Sequence, residues 1–235
     1  MSKLSKPSAL NDEKVKTVLN RLHAEANKQF PKLILHYLPK LPGLFLGKGI
    51  KWDQTKTEFY KDKYIPIEAD QGEFLYLIAR AINAKTIVEF GTSFGISTIY
   101  LATAVRDNGG GIVIGTEIVH EKVVQARKNI AEARLETYVD IQEGDALKTL
   151  KTFNQTVDLV LIDGWTHLAL DVLKILDPLI RPGGVVISDN VNTFKESLKD
   201  YVDFLQNPVN GYQSSTLNLK GGTEFSVKVR RHDEN

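Results

Sequence analysis

From Thr86 to Ser188 short apolar runs recur without polar alternation. Each is followed by a stretch whose apolar residues return every three or four positions. The runs are Thr86–Phe90, Ile112–Glu117, Thr137–Gln142, Val157–Ile162 and Gly184–Ser188. The periodic stretches are 95–106, 120–133, a short one from Ala146, 167–177 and 194–206. Strands without a polar face are buried on both sides, and intervening helices make neighbouring strands parallel. The end of the chain reads differently: Tyr212–Leu219 and Glu224–Val229 alternate and are joined by Lys220-Gly221-Gly222, the pattern of an antiparallel hairpin. The expected fold is α/β and Rossmann-like. Its sheet is mostly parallel, with helices on both faces and a hairpin at the end.

Before Thr86 the pattern is helical, then irregular. Residues 11–29 place Val15, Leu19 and Leu22 on one face, with Asn11 as N-cap. Pro31 suits the first turn of a second helix, Lys32 to Leu38. Residues 39–66 are irregular and aromatic, carrying Phe45, Trp52, Phe59, Tyr60 and Tyr64, and Glu68 to Ile82 returns to a helical period. The chain therefore divides into an N-terminal helical and aromatic extension, 1–66, expected to act as a lid or a dimer surface, and an α/β domain, 67–235.

Composition narrows the function. The net charge of +1, with no block of one sign, argues against a nucleic-acid binder. The absence of cysteine excludes disulfides, thiolate metal sites and a cysteine nucleophile. No run of about 18 apolar residues occurs, and no apolar leader follows Met1, so a cytoplasmic protein without a membrane partner is expected.

In an open α/β sheet, ligands bind beyond the C-terminal ends of the strands, where strand order reverses. Those ends carry Glu89 and Gly91, Glu117, Gly144-Asp145-Ala146, Asp163, and Asp189-Asn190. Gly91-Thr92-Ser93-Phe94-Gly95 joins a strand to a helix, so backbone N–H groups at the helix start are open to a ligand. Its G-x-x-x-G spacing is not the G-x-G-x-x-G of dinucleotide binders. Glu117, followed by Ile118, stands where a carboxylate accepts both ribose hydroxyls of a nucleoside. Asp145 and Ala146 lie where an adenine edge would pass, although Asp145 also suits a helix N-cap. Asp163, Asp189 and Asn190 form an all-oxygen set that suits Mg²⁺ or Ca²⁺ and leaves positions for water and substrate.

These residues resemble the cation-dependent class I S-adenosylmethionine (AdoMet) O-methyltransferases, the group of catechol and caffeoyl-CoA O-methyltransferase. The resemblance covers about 66–230. It is carried by Ala69-Asp-Gln-Gly-Glu-Phe-Leu75, Val88–Thr98, Thr116-Glu117, Gly144–Ala146, Leu159–Asp163 and Pro182–Val191. It implies a seven-strand sheet with its last strand antiparallel. It implies AdoMet contacts at Ile67, Glu89, Gly91, Ser97, Glu117, Ala146 and Asp163, with Thr92, Ser93, Gly95, Ile118 and Asp145 in the same loops. Asp163, Asp189 and Asn190 fall on metal positions, the acceptor is a small-molecule hydroxyl, and homodimers are common among relatives.

Two departures matter. Relatives carry a lysine base three residues after the first metal Asp; here that residue is Thr166, which cannot be a base near neutral pH, and His167 is the adjacent titratable group. The segment after Asn190 is also short, so the acceptor pocket is expected to be shaped by the N-terminal aromatic region. Three other readings stay open. A nicotinamide oxidoreductase is opposed by the glycine spacing, and a nucleic-acid methyltransferase by Ile162-Asp163-Gly164-Trp165 where Asn/Asp-Pro-Pro-Tyr would stand. The third is an AdoMet-binding protein that has lost its chemistry along with the lysine.

Overall fold

The computed structural model describes residues 10–37 and 67–229. Seven strands make one sheet: β1 (Thr86–Phe90), β2 (Ile112–Glu117), β3 (Val139–Glu143), β4 (Val157–Ile162), β5 (Ile180–Ser188), β6 (Tyr212–Leu217) and β7 (Thr223–Lys228). Their order is β3-β2-β1-β4-β5-β7-β6. The first five are parallel, and β7 inserts antiparallel between β5 and β6. Strand order reverses between β1 and β4, where Phe90 pairs with Ile162, so a crevice opens beyond these two ends.

The helices are α1 (Glu13–Tyr37), α2 (Ala69–Ala81), α3 (Ile96–Asp107), α4 (His120–Glu132), α5 (Ala146–Thr149), α6 (Ala169–Leu176) and α7 (Lys195–Gln206). Side chains alternate across the pleat. Ile87, Leu159, Leu161, Val185 and Ile187 face the core shared with α1 to α4. Val88, Phe90, Val160, Ile162 and Val186 face the core under α6 and α7. Both faces are covered, as the unbroken apolar runs require.

The structure corrects the sequence reading in four places. The N-cap of α1 is Asp12, not Asn11: Asp12 Oδ1 accepts from the N–H groups of Lys14 and Val15 at 2.8 and 3.2 Å. The helix continues through Pro31 instead of restarting there; proline withholds a single N–H from the ladder, and the turns on either side carry on. β3 begins at Val139 because Glu136–Tyr138 close a 3-10 turn first. β5 begins at Ile180, ahead of Pro182, and a register shift between Val157 and Leu159 of β4 absorbs the Pro-Gly-Gly insertion.

α1 packs on the domain. Val15, Val18, Leu19 and Leu22 are buried in the same core as the sheet. Arg106 reaches Asp12 at 2.6 Å, and Arg21 reaches Glu132 at 2.7 Å. The aromatic stretch expected at 39–66 lies outside the described residues.

Candidate active site

The loop after β1 is shaped by glycine. Gly91 has φ +100°, and a Cβ there would stand 2.6 Å from the carbonyl oxygen of Asp163. Only a bare backbone lets the ends of β1 and β4 approach this closely. Gly95 caps α3 in the left-handed conformation. Beneath the loop, the buried Glu89 carboxyl accepts hydrogen bonds from the hydroxyls of Thr92, Ser97 and Thr98. Burial holds the Glu89 carboxyl above the ordinary range; those three bonds oppose the shift and nearby Glu117 reinforces it.

A single cavity runs from the loop across the ends of β2, β4 and β5. Its lining includes Gly91, Ser93, Glu117, Ile118, Asp145, Ala146, Asp163, Thr166, Asp189 and Asn190. The sequence placed all of these in the site. Ile67, Glu89, Thr92, Gly95 and Ser97 were placed there too, yet they are not part of this lining. Thr92 and Ser97 each donate to Glu89 below the loop. Their hydroxyls are spent on the carboxylate, so they hold the loop from behind.

Glu117 is firmly placed. Its Oε2 accepts from Ser93 N, and its Oε1 accepts from Ile118 N and Val119 N, each at 2.9 Å. Asp145 fills the N-cap role read for it. Its Oδ1 caps α5 through Leu147 N at 3.0 Å, and the residue also lines the cavity.

At the far end of the cavity lies a carboxyl pair. Burial raises Asp163 well above the carboxylate range, reinforced by the charges of Asp189 and Glu89 and opposed by Lys122. Burial likewise lifts Asp189 to about 6, against hydrogen bonds from Asn190 and Gln71. The donor chemistry fits a hard divalent cation: two carboxyls each penalised for ionising are relieved by a shared positive charge. Asn190, at φ +61°, donates from Nδ2 to Asp189 Oδ2 at 2.8 Å. Turning its amide by a half-rotation would direct an oxygen to the pair. Among the described residues, no group of three His, Cys, Asp or Glu gathers in one place, and this site brings two carboxyls and an amide.

The two base candidates part company. A 3-10 turn, Thr166–Leu168, follows β4. Successive residues there point about 120° apart. Thr166 and Leu168 line the cavity, while His167 is exposed and outside it. The Thr166 hydroxyl is buried without a hydrogen-bond partner.

Several lining residues escaped the sequence reading. Lys122 is 8% exposed, lines the cavity and holds its Nζ 5.5 Å from the Phe94 ring centroid. Its signal was position, a first-turn helix residue just after Glu117. Phe194 and Leu198 form an apolar wall. The short connection after Asn190 delivers them there, since α7 starts at Lys195.

Residues 88–191 match a family described as a methyltransferase domain. Within that class the likeness is to O-methyltransferases. The chain is 36% identical over 128 residues to the catechol O-methyltransferase of Mycobacterium tuberculosis, covering 54% of this chain and 57% of that protein. It is 29% identical to caffeoyl-CoA O-methyltransferase 2 of Populus trichocarpa, covering 52% and 51%. The matches thus span a little over half the length of these relatives. Among solved structures, an O-methyltransferase from Bacillus cereus in complex with SAH superposes with a TM-score of 0.66 at 25% identity, covering 76% of this chain and 92% of that one. In its matched domain, its relatives and its fold, the chain is similar to O-methyltransferases.

Proposed function

We propose that the protein is an AdoMet-dependent O-methyltransferase that acts on a small-molecule hydroxyl, with vicinal oxygens as the natural acceptor, and that it uses a divalent cation. The observation that carries this is the sharing of one cavity by two sites: the glycine loop with Glu117, and the Asp163–Asp189 pair. AdoMet, when bound, supplies an electrophilic methyl group; a divalent cation, when bound, lowers the pKa of a chelated hydroxyl.

The chain's own residues do the rest. Gly91 to Gly95 admit the methionine portion against the main chain. Glu117, already fixed by three N–H donors, keeps one lone pair, on Oε2, for a ribose hydroxyl. Asp145 and Ala146 flank the adenine edge, next to Ile118. Asp163, Asp189 and Asn190 hold the cation. The Thr166 hydroxyl, buried and unpartnered, donates to an acceptor oxygen, and Phe194, Leu168 and Leu198 exclude water. His167 faces away from the cavity, and no proton transfer is assigned to it. Holding methyl donor and oxygen in line accounts for much of the rate in such a displacement.

A homodimer, implied by the family resemblance, and a cytoplasmic location belong to the same reading. Among the described residues no helix is long and apolar enough to cross a membrane. The test is methyl transfer from AdoMet to a panel of catechols with Mg²⁺, with EDTA, and with NAD as competing ligand. Transfer that stops in EDTA and returns with Mg²⁺ supports the reading. Transfer undiminished by EDTA removes the cation and leaves a metal-independent methyltransferase. Binding of NAD in place of AdoMet overturns the assignment.

A further inference from the structure

The glycine loop is held on two sides. Ser93 and Gly95 both have positive φ, +49° and +85°. Glycine adopts such backbone freely, but Ser93 keeps it only where its surroundings impose it. On the cavity side, Ser93 N is tied to Glu117. On the opposite side, the carbonyl oxygen of Phe94 accepts from Asn129 Nδ2 at 2.9 Å. Asn129, on α4, is fully buried. Its Oδ1 accepts from Gln125 Nε2 at 3.0 Å and from Arg21 Nη2 at 3.1 Å. Two donors converging on one oxygen leave the amide a single orientation, with its NH₂ toward Phe94. Arg21 belongs to α1, and the same Nη2 also reaches Glu132 Oε2 at 2.7 Å.

We propose that the N-terminal helix takes part in cofactor binding: Arg21, acting through Asn129, holds the 91–95 loop in the shape that receives AdoMet. Both are positioning residues. This rests on the assignment of the loop to AdoMet made above. It gives α1 a task distinct from that of a lid or a dimer surface. A guanidinium suits it because Nη2 serves a neutral amide oxygen and a carboxylate while Nη1 is anchored on Glu25 within α1.

The experiment is calorimetric titration of S-adenosylhomocysteine into the full chain and its variants, with thermal melts and steady-state kinetics alongside. Arg21→Met should weaken binding about five- to twentyfold and raise the KM for AdoMet in parallel, with kcat within about twofold of wild type. Arg21→Lys keeps the charge and enough donors on a side chain of different length and geometry, and should fall between. Asn129→Leu should match Arg21→Met or exceed it. Glu132→Gln loses the ion pair but keeps the Asn129 contact, so it should lower the melting temperature yet keep affinity within about twofold. Folded Arg21→Met binding like wild type would overturn the inference. So would a loss of affinity in Glu132→Gln equal to that in Arg21→Met, because helix docking alone would then explain it. A wild-type protein that binds no S-adenosylhomocysteine would instead overturn the cofactor assignment itself.

Discussion

Gln71 donates from Nε2 to Oδ1 of Asp189 at 2.7 Å, joining positions 118 residues apart in the chain. The same nitrogen donates to the carbonyl of Lys220, and Gln71 Oε1 accepts from Glu68 N. One buried amide therefore ties the start of α2, the end of β5 and the hairpin turn together. Gln71→Leu strips all three bonds. A loss of about 2 kcal/mol is expected, lowering the melting temperature by roughly 4–8 °C. Cation-dependent activity should fall with it, as comparative melts and assays would show.

Glu117→Ala should weaken AdoMet binding by about ten- to a hundredfold. The loss has two sources, since the carboxylate also holds Ser93, Ile118 and Val119. Titration calorimetry on a variant that melts cooperatively provides the check. Unchanged affinity would remove Glu117 from the cofactor site.

Thr166 and His167 should respond oppositely. Thr166→Val removes a buried hydroxyl that has no partner, so stability should hold or rise slightly, while kcat/KM drops by about five- to tenfold. His167→Ala should leave the rate within about twofold, because the ring lies outside the cavity. A thousandfold loss in that variant would restore His167 as the base.

Asp189→Asn should stabilise the protein in the absence of cations at pH 7.5, because it relieves the like-charge contact with Asp163. Mg²⁺ should raise the melting temperature of wild type and leave that of the variant unmoved. A wild-type melt indifferent to Mg²⁺, Mn²⁺ and Ca²⁺ would argue against the cation.

His23, on α1, sits 3.2 Å from the Tyr100 hydroxyl, and burial lowers its pKa below 6.5, against the pull of Glu68. The unfolded chain then binds the proton more readily than the folded one. The stability this group contributes is full above the unfolded value and is lost as pH falls through it toward the folded value. The carboxyl pair acts in the opposite direction, so the useful quantity is the difference between wild type and His23→Gln. That difference should grow in favour of the variant between about pH 7 and 5.

Much of the fold was legible because parallel strands buried on both faces leave unbroken apolar runs, as Val157 to Ile162 does. The glycine loop was legible because Gly91 must meet the Asp163 backbone. What the sequence hid was direction. Glu89 and Glu117 both end strands, yet one points under the loop and the other lines the cavity; Thr166 and His167 are neighbours in one 3-10 turn that sends one to the cavity and the other to solvent. Gln71 and Asn129 were hidden for another reason. Each acts on a residue far along the chain, and only tertiary packing pairs them.

The hairpin turn bears on the order in which the molecule is made. Val191 N donates to the carbonyl of Gly222, and Asn192 N and Thr193 N donate to that of Gly221. A nascent chain paused after α7 would already contain the glycine loop, Glu117 and both carboxyls of the pair. It would still lack the turn that pins the segment after Asn190, and β5 would be a bare edge on the ribosome. The Asp189–Asn190 end of the cavity is therefore completed only once Gly221 and Gly222 are made, well after the glycine-loop end has the strands and helices it needs.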